Sequence, residues 1–446
     1  MHTLGFRFKP WTEAKAIADG PDILRYLHST MNEFDIARHI RFGHLVKRAQ
    51  WSSEKSQWSV EVERVGTGDT VTGDTVTFTC GFLFMCSGYY SYREGFTPEF
   101  PGRERFRGEV IHPQKWTNDV SYSGKRVVVI GSGATAITLV PAMAKDAKHV
   151  TMLQRSPTYI AARPDVDAFA NALRKYLPSK IAYAITRLKN TKYQQLVYSR
   201  SRTHPDKVKE ILLKGVREQL GPDYDIEKDD YDIEKDFTPT YNPWDQRLCL
   251  APNGDFFQAM RDGKASVVTD TIDTFDETGI VLSSGEHLDA DVIVTATGLQ
   301  LVTLGEVQFE VDGKPVDFSQ TWTYKGVAYS GVPNLASSFG YINASWTLRS
   351  DLTCEYVCRL LNHMAKTGTT QCTPRLRDVD QNMPESPWID SFSAGYMRRV
   401  MHLFPRQGNH APWINPQNFA RDKKMFRRAP LDDGAMQFTK APVKQK

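Results

Sequence analysis

The chain has 446 residues, and its 56 basic and 52 acidic side chains leave a formal net charge of +4. This length predicts a multidomain protein with ample core, and the balanced charge argues against a nucleic-acid partner. The six cysteines show neither C-x-x-C nor zinc-ligand spacing, no apolar run could span a bilayer, and no signal-peptide pattern is visible in the sequence. We therefore expect no metal site and a reducing, cytoplasmic location.

The first eighty residues predict one helix followed by several strands. Apolar residues between Ile23 and Phe34 recur on one helical face and indicate an amphipathic helix. A strand is expected over residues 40–46, ending at Val46. Period-two alternation after Trp58 and again after Val76 predicts a β-meander.

Two short tandem repeats interrupt this pattern. Residues 68–72 recur as 73–77, and residues 223–229 recur as 230–236. Both repeats lie where loops are expected, and surface loops tolerate insertions at a modest entropic cost. We interpret the repeats as extra loop length.

Two apolar strands, in residues 82–88 and 291–298, each end in a small-residue turn. They flank the middle of the chain and suit a parallel sheet. This arrangement predicts one α/β domain that is interrupted by another.

The middle of the chain contains a β-branched run that leads into a glycine turn and then a helix. The turn and first helical residues are Gly131, Ser132, Gly133, Ala134, Thr135, Ala136 and Ile137. Gly131 permits a tight turn, Gly133 lets the backbone approach a pyrophosphate, and Ala136 allows close helix packing. Because a helix N-terminus attracts phosphate, we predict a dinucleotide site here.

The second strand of this unit runs through residues 150–156. A carboxylate at its end would bind the ribose 2′-hydroxyl of NAD, but this chain has Arg155 and Ser156. These residues favour the 2′-phosphate of NADP. The alternative for Arg155 is a solvated charge at a strand end.

The second half of the chain predicts further helices and an aromatic cleft. A basic helical insertion is expected at about residues 165–237, with a helix from Pro205 whose apolar face contains Val208, Ile211, Leu212 and Val216. Large aromatic residues surround Arg247. A long helix should begin near Ser345, with Cys354 and Cys358 in the core. The basic stretch 421–428 is interpreted as solvated, the alternative being contact with an anionic membrane surface.

One further pattern carries a resemblance to a known family. Phe106-x-Gly108-x-x-x-His112-x-x-x-Trp116 resembles the fingerprint of Baeyer–Villiger flavin-containing monooxygenases, although Thr117 replaces the usual Pro or Asp that follows. The likeness extends over nearly the whole chain. It is most marked in residues 241–255, 290–299 and 340–348, which resemble mycobacterial members of the family.

The resemblance implies an α/β fold with two Rossmann-like dinucleotide-binding domains, one inserted in the other. The FAD domain would comprise residues 1–115 and 290–446, and the NADP domain residues 116–289 with the helical insertion. The family's FAD domain opens with its own G-x-G-x-x-G motif. That motif does not occur here, so we expect the first FAD βαβ unit to be missing.

The resemblance also implies an activity. The family uses NADPH, FAD and O₂ to insert one oxygen into ketones or to add it to the sulfur or nitrogen of thioethers, thioamides or amines. Arg247 would be the active-site arginine, since a permanent cation stabilises developing negative charge. Its alternative role is an ion pair with Asp245 or another acid.

The remaining family positions would assist the cofactors. The backbone of Val46 would meet the FAD adenine, and His112 and Trp116 would couple domain rotation to NADP position. The alternative for His112 is a hydrogen-bonded linker histidine. Two alternative functions are a flavin-free NADP-binding chain and a flavin disulfide reductase, which would need Cys80 and Cys86 as a redox pair.

Overall fold

The structure is a computed structural model that describes residues 1–66, 71–221, 232–390 and 392–440. Its helices are α1 (Gly20–Glu33), α2 (Ala134–Met143), α3 (Ala168–Tyr176), α4 (Ser179–Thr203), α5 (Pro205–Leu220), α6 (Ile233–Phe237), α7 (Asp255–Arg261), α8 (Trp346–Thr367), α9 (Gly395–Arg398) and α10 (Phe419–Arg428). Within these ranges, no helix has the length and apolar content that crossing a bilayer requires.

The strands alternate with these helices along the chain. In order they are β1 (His44–Ser52), β2 (Gln57–Val65), β3 (Val71–Cys80), β4 (Leu83–Met85), β5 (Tyr90–Gly95), β6 (Glu109–Ile111), β7 (Arg126–Ile130), β8 (His149–Gln154), β9 (Ile160–Arg163), β10 (Cys249–Pro252), β11 (Ala265–Thr269), β12 (Ile272–Phe275), β13 (Gly279–Leu282), β14 (His287–Asp289), β15 (Val292–Thr295), β16 (Leu299–Leu301), β17 (Gln308–Val311), β18 (Lys314–Pro315), β19 (Thr323–Tyr324), β20 (Ala328–Tyr329), β21 (Leu335–Ser337), β22 (Gln371–Pro374), β23 (Ser386–Pro387), β24 (Arg406–Gln407) and β25 (Met436–Thr439).

A five-stranded parallel sheet, here the central sheet, carries the predicted glycine turn. Its order is β11-β8-β7-β15-β6. Val127 and Val129 of β7 share one buried core with Ala136 and Val140 of α2. The predicted parallel sheet and its strand–turn–helix unit are therefore confirmed.

The other sheets belong to the flanking sequence. Strands β4 and β21 form a parallel pair, and β1, β2 and β3 form the predicted antiparallel meander. The strand expected over residues 40–46 is wrong in its bounds, because β1 runs from His44 to Ser52. Gly43 has φ of +65°, which breaks the extended backbone before the strand.

The domain boundaries inferred from the resemblance stay a prediction. The central sheet takes β6 from before residue 116 and β15 from after residue 289. The helices α3 to α6 lie within the predicted insertion. That insertion leaves from β9 and returns at β10, and these two strands pair in parallel.

Several predictions of buried helix faces are wrong, because the neighbouring elements pack on a different side of each helix. The loops predicted for the repeats are also wrong. Helix α1 buries Tyr26, whose hydroxyl donates to the Lys9 carbonyl oxygen, and leaves Leu24 and Phe34 exposed. Helix α5 packs on β9 and α7 through Leu213, Val216 and Leu220, whereas Ile211 is exposed. The described repeat copies are regular, with residues 73–77 in β3 and 233–236 in α6; the other copies lie mainly outside the described residues.

Of the last two long helices, α8 corrects the sequence interpretation and α10 agrees with it in part. Cys354 and Cys358 are exposed, because α8 packs against α10 through its opposite face. The stretch 421–428 is part of α10, and its residues Arg421 and Arg428 are exposed, in agreement with the solvated interpretation. There Asp422 is fully buried and pairs with fully buried Arg349 at 3.2 Å, while Lys423 and Lys424 are exposed.

Candidate functional site

The turn between β7 and α2 is shaped as a phosphate cradle. Gly131 has φ of +128°, and a Cβ there would overlap the Ala296 carbonyl oxygen just beyond β15. Gly133 is extended, and a Cβ built on it meets no atom within 4 Å. The first glycine is therefore needed for folding, whereas the second leaves the backbone open to a ligand.

The N-terminus of α2 faces the same opening. Ala134 and Thr135 are exposed, whereas Ala136 and Ile137 are buried and anchor the helix on the central sheet. Gly133 offers no side-chain cap, and the first turn carries no acidic residue. The free N–H groups and the helix dipole thus suit an anion.

Two residues at the end of β8 lie beside this turn. The Ser132 hydroxyl donates to the Ser156 carbonyl oxygen at 2.9 Å, which ties the turn to that strand end. Arg155 and Ser156 are exposed, and Arg155 makes no ion pair within the part of the chain that the structure describes. Its guanidinium is therefore available to a phosphate group.

His112 follows β6 and is hydrogen-bonded to Gly298 in the segment that follows β15. Its Nδ1 accepts the Gln114 backbone N–H at 3.2 Å, so Nε2 bears the proton and donates to the Gly298 carbonyl oxygen at 3.1 Å. The Gln114 side chain in turn donates to the Ser91 carbonyl oxygen at 2.7 Å. The structure thus favours the linker role for His112.

The other fingerprint residues have packing roles in this conformation. Phe106 is buried against Phe275. A Cβ at Gly108 would crowd the ring of Phe106, so glycine is required there. Trp116 is half-buried and meets Tyr122 edge-on at 5.9 Å.

Arg247 lies among the phenols of three tyrosines. Burial by itself would lower the pKa of Arg247, but the oxygens of Tyr89, Tyr396 and Tyr90 outweigh it and hold the pKa above its ordinary value. Burial raises the pKa of Tyr90 and of Tyr396, so both phenols are neutral near pH 7. The result is a permanent cation in an aromatic setting.

The predicted alternative for Arg247, an ion pair with Asp245, is wrong. Asp245 pairs with Arg202, and Arg247 forms no ion pair within the described ranges. The Asp245 carbonyl oxygen accepts the Ser393 N–H at 2.8 Å. This bond ties the loop of Arg247 to the segment that carries Tyr396.

A narrow cleft of about 20 Å³ lies at the carboxyl ends of β4 and β21, and Tyr89 contributes both to this cleft and to the surroundings of Arg247. Ser87, Gly88, Tyr89, Ser337 and Ser338 line it, and aromatic side chains close its far side. Tyr89 also stacks on Trp346 with 4.7 Å between ring centroids. The carboxyl ends of parallel strands are the usual binding edge of such sheets.

Val46 lines a different opening, a groove of about 760 Å³ that also contains Lys47, Arg48, Arg93 and Lys115. Gly305 lines this groove and touches the cleft, since a Cβ on Gly305 would lie 2.8 Å from Ser87 Cβ. The Val46 groove and the Gly88 cleft therefore adjoin, which suits one extended ligand.

The sequence analysis missed the three tyrosines around Arg247. Tyr89 and Tyr90 directly follow the predicted strand ending at Gly88, and that position at a parallel strand end was an available signal. Tyr396 follows from no local pattern. It reaches the site because residues 388–404 fold back over Tyr89 and Phe339.

The disulfide reductase alternative loses its support. The six cysteines are free thiols, and burial raises the pKa of both Cys80 and Cys86. A redox-active pair needs the opposite shift, since the thiolate is the reactive form.

Comparisons with known proteins identify the family. The family described as flavin-binding monooxygenase-like matches residues 16–216. The FAD-containing monooxygenase EthA of Mycobacterium tuberculosis is 48% identical over 444 residues, which are 99% of this chain and 87% of that protein. The probable FAD-binding monooxygenase AlmA of Acinetobacter baylyi is 45% identical over 442 residues, 99% of this chain and 85% of the relative.

Solved structures show the same fold. An oxidized steroid monooxygenase bound to NADP superposes with a TM-score of 0.74 at 22% identity, covering 98% of this chain and 89% of that one. Cyclohexanone monooxygenase from Rhodococcus sp. Phi1 bound to NADP⁺ gives 0.65 at 18% identity, covering 84% and 76%. The predicted fold class is confirmed.

Proposed function

Because the chain belongs to the family of FAD-containing monooxygenases, we propose that it uses NADPH, FAD and O₂ to oxygenate an apolar ketone, thioether or thioamide. The observation that carries this proposal is the position of Arg247. It is held as a half-buried cation among tyrosines, one of which lines the cleft at the ends of β4 and β21.

NADP(H) fits the turn between β7 and α2. Gly131 allows the tight turn, Gly133 leaves the pyrophosphate room against the backbone, and the first N–H groups of α2 face it. Arg155 and Ser156 would meet the 2′-phosphate, because charge-assisted hydrogen bonds to arginine are strong and geometrically specific.

FAD would lie in the Val46 groove of about 760 Å³ and reach the strand ends at Gly88, where the cleft holds only about 20 Å³ in this conformation. The backbone of Gly88, with φ of +73°, would offer polar contacts at the strand ends, whereas the hydroxyls of Ser337 and Ser338 bond to Tyr329 and Ser350. When bound, the flavin supplies the reaction of oxygen with the substrate. This chain supplies position, charge and the exclusion of water.

Arg247 would stabilise negative charge that develops on oxygen in the transition state. Its own charge does not depend on pH, because neighbouring phenol oxygens hold its pKa above the usual value. A fixed, half-buried cation would need little reorganisation during the reaction, and this would be the source of its catalytic effect. Tyr396 would keep the guanidinium in place.

The substrate would lie against aromatic side chains. Tyr89, Phe339, Trp346 and Trp388 form a continuous aromatic wall, with Phe339 and Trp388 only 4.3 Å apart between ring centroids. Such a wall favours an apolar substrate with one polar reacting group.

The test is NADPH-dependent oxygen consumption by the FAD-loaded protein, with a cyclic ketone and an aryl thioether as probes. Arg247→Met should lower oxygenated product by at least about 100-fold, since one preorganised oxyanion partner is worth that much. Arg217→Met on exposed α5 is the matched control. Normal product formation by Arg247→Met would overturn the proposed role.

The same preparation decides the alternative of a chain that binds NADP but no flavin. In that case NADPH would protect the protein against heat, whereas added FAD would neither bind nor protect it.

A further inference from the structure

Helix α4 exposes a row of large apolar side chains, whereas an ordinary surface helix buries such residues. Its buried positions carry one large aromatic residue, Tyr183, and otherwise small or polar residues, namely Ala182, Thr186, Thr191 and Ser201. Its exposed face carries Ile181, Ile185, Leu188 and Leu196, which are 40–60% exposed. At 3.6 residues per turn these four side chains fall within about 80° of one another, in a stripe about 22 Å long. An apolar stripe of this kind faces a partner rather than water.

The charges on α4 are all of one sign. The helix has six basic residues and no acidic one. Arg187, Lys189 and Arg202 pair with acids on other elements. The exposed residues that form no ion pair within the described chain are Lys180, Lys192 and Arg200. At the same helical spacing Lys180 and Arg200 lie on either side of the apolar stripe, and Lys192 lies within it between Leu188 and Leu196.

A groove of about 520 Å³ connects this stripe with α10. Leu188 and Lys180 line it from α4, and Lys423 lines it from α10. Phe8, which is 53% exposed, also borders the groove. The exposed lysines of α10 therefore extend the same basic and apolar face.

We propose that α4, together with the basic end of α10, docks in the plane of an anionic phospholipid surface. Leucine and isoleucine side chains would enter the acyl boundary, and the flanking lysines and arginines would meet the headgroup phosphates. A helix with this many charges suits a position on a bilayer and not across it.

The charges on α4 favour an anionic lipid surface over a second copy of the chain or a nucleic acid. A second copy of the chain would bring together two helices that each carry three cations without an ion-pair partner in the described chain and no acidic residue, which is repulsive. A polyanion such as a nucleic acid would satisfy the cations but leave the apolar stripe in water. An anionic lipid surface satisfies both features.

The experiment is co-sedimentation of the full chain with vesicles of phosphatidylglycerol and phosphatidylcholine, compared with vesicles of phosphatidylcholine alone. Binding should require phosphatidylglycerol and weaken with salt. The double variant Lys192→Gln/Arg200→Gln should bind about 25-fold more weakly, at about fivefold per removed charge. Leu188→Asp should lose at least about tenfold.

The matched control is Ile211→Asp, which places a charge on an equally exposed apolar residue of α5 and should bind like the unmodified chain. Equal binding to both vesicle types, or unchanged binding of the Lys192→Gln/Arg200→Gln variant, would overturn the proposal. The proposal would also be overturned if the unmodified chain formed a dimer and the Leu188→Asp variant were monomeric. If Leu188→Asp unfolds, the two exposed charge substitutions alone decide the outcome.

Discussion

The two glycines of the β7–α2 turn should respond to the same substitution in opposite ways. In Gly131→Ala the new Cβ meets the Ala296 carbonyl oxygen, and the alanine must adopt the positive φ of this position. In Gly133→Ala the Cβ points into open space on an extended backbone. The first change therefore damages the fold, and the second affects only what approaches the turn.

The magnitudes follow from these geometries. The unfavourable φ costs about 1–3 kcal/mol and the overlap about 1–3 kcal/mol more, so Gly131→Ala should lose about 2–6 kcal/mol of unfolding free energy. Gly133→Ala changes a helix-cap glycine and should lose less than about 1 kcal/mol. Its NADPH dissociation constant should rise at least about tenfold, which is 1.4 kcal/mol of binding.

The assays are urea unfolding and a fluorescence titration with NADPH. Gly215→Ala, at an open helical position on α5, is the control and should leave NADPH binding unchanged. Gly133→Ala with normal stability and normal NADPH affinity would refute the reasoning, because the pyrophosphate could then not lie against this turn.

Three further predictions concern charge. Arg155→Gln should weaken NADPH binding about 10- to 100-fold and leave NADH binding unchanged, in parallel titrations, because only NADPH carries the 2′-phosphate; equal losses would contradict this. Arg349→Met should cost about 3–5 kcal/mol in urea unfolding, since it leaves a fully buried aspartate unpaired. Adding Asp422→Leu to Arg349→Met should restore part of the lost unfolding free energy. Strictly additive effects of the two substitutions would argue against the pair. The Thr278 backbone N–H lowers the pKa of Asp276 to about 2. The ionised Asp276 carboxylate therefore stabilises the folded chain fully above about pH 4, and this contribution is lost as the pH falls to about 2. The stability difference between the chain and Asp276→Asn should shrink over that range; a difference that grows towards acid would be inconsistent.

Local pattern was sufficient for the parts of the fold that are locally determined. The β-branched run of β7, the glycine turn and α2 could be predicted because each residue favours its own element. The meander of β1 to β3 followed from alternation. Helix faces were harder, since Leu24 and Ile211 have the right spacing but point away from the element that each helix meets.

The candidate site shows the same division. Gly131 and Arg155 could be assigned from a short motif, because the nucleotide turn is local. Arg247 required the family resemblance, and its partner Tyr396 lies about 150 positions away in a segment without periodicity. Contacts over such separations depend on tertiary packing, which no local pattern encodes. The roles of these residues stay proposals until they are tested.

Cofactor binding by the purified 446-residue chain tests the central claim most directly. The chain is mixed with FAD, freed of excess by gel filtration and titrated with NADPH without oxygen while its visible absorption is recorded. We predict that flavin stays with the protein, that NADPH bleaches it, and that air with a thioether restores the colour and yields the sulfoxide. A protein that binds NADPH but remains colourless at saturating FAD would contradict the proposed monooxygenase.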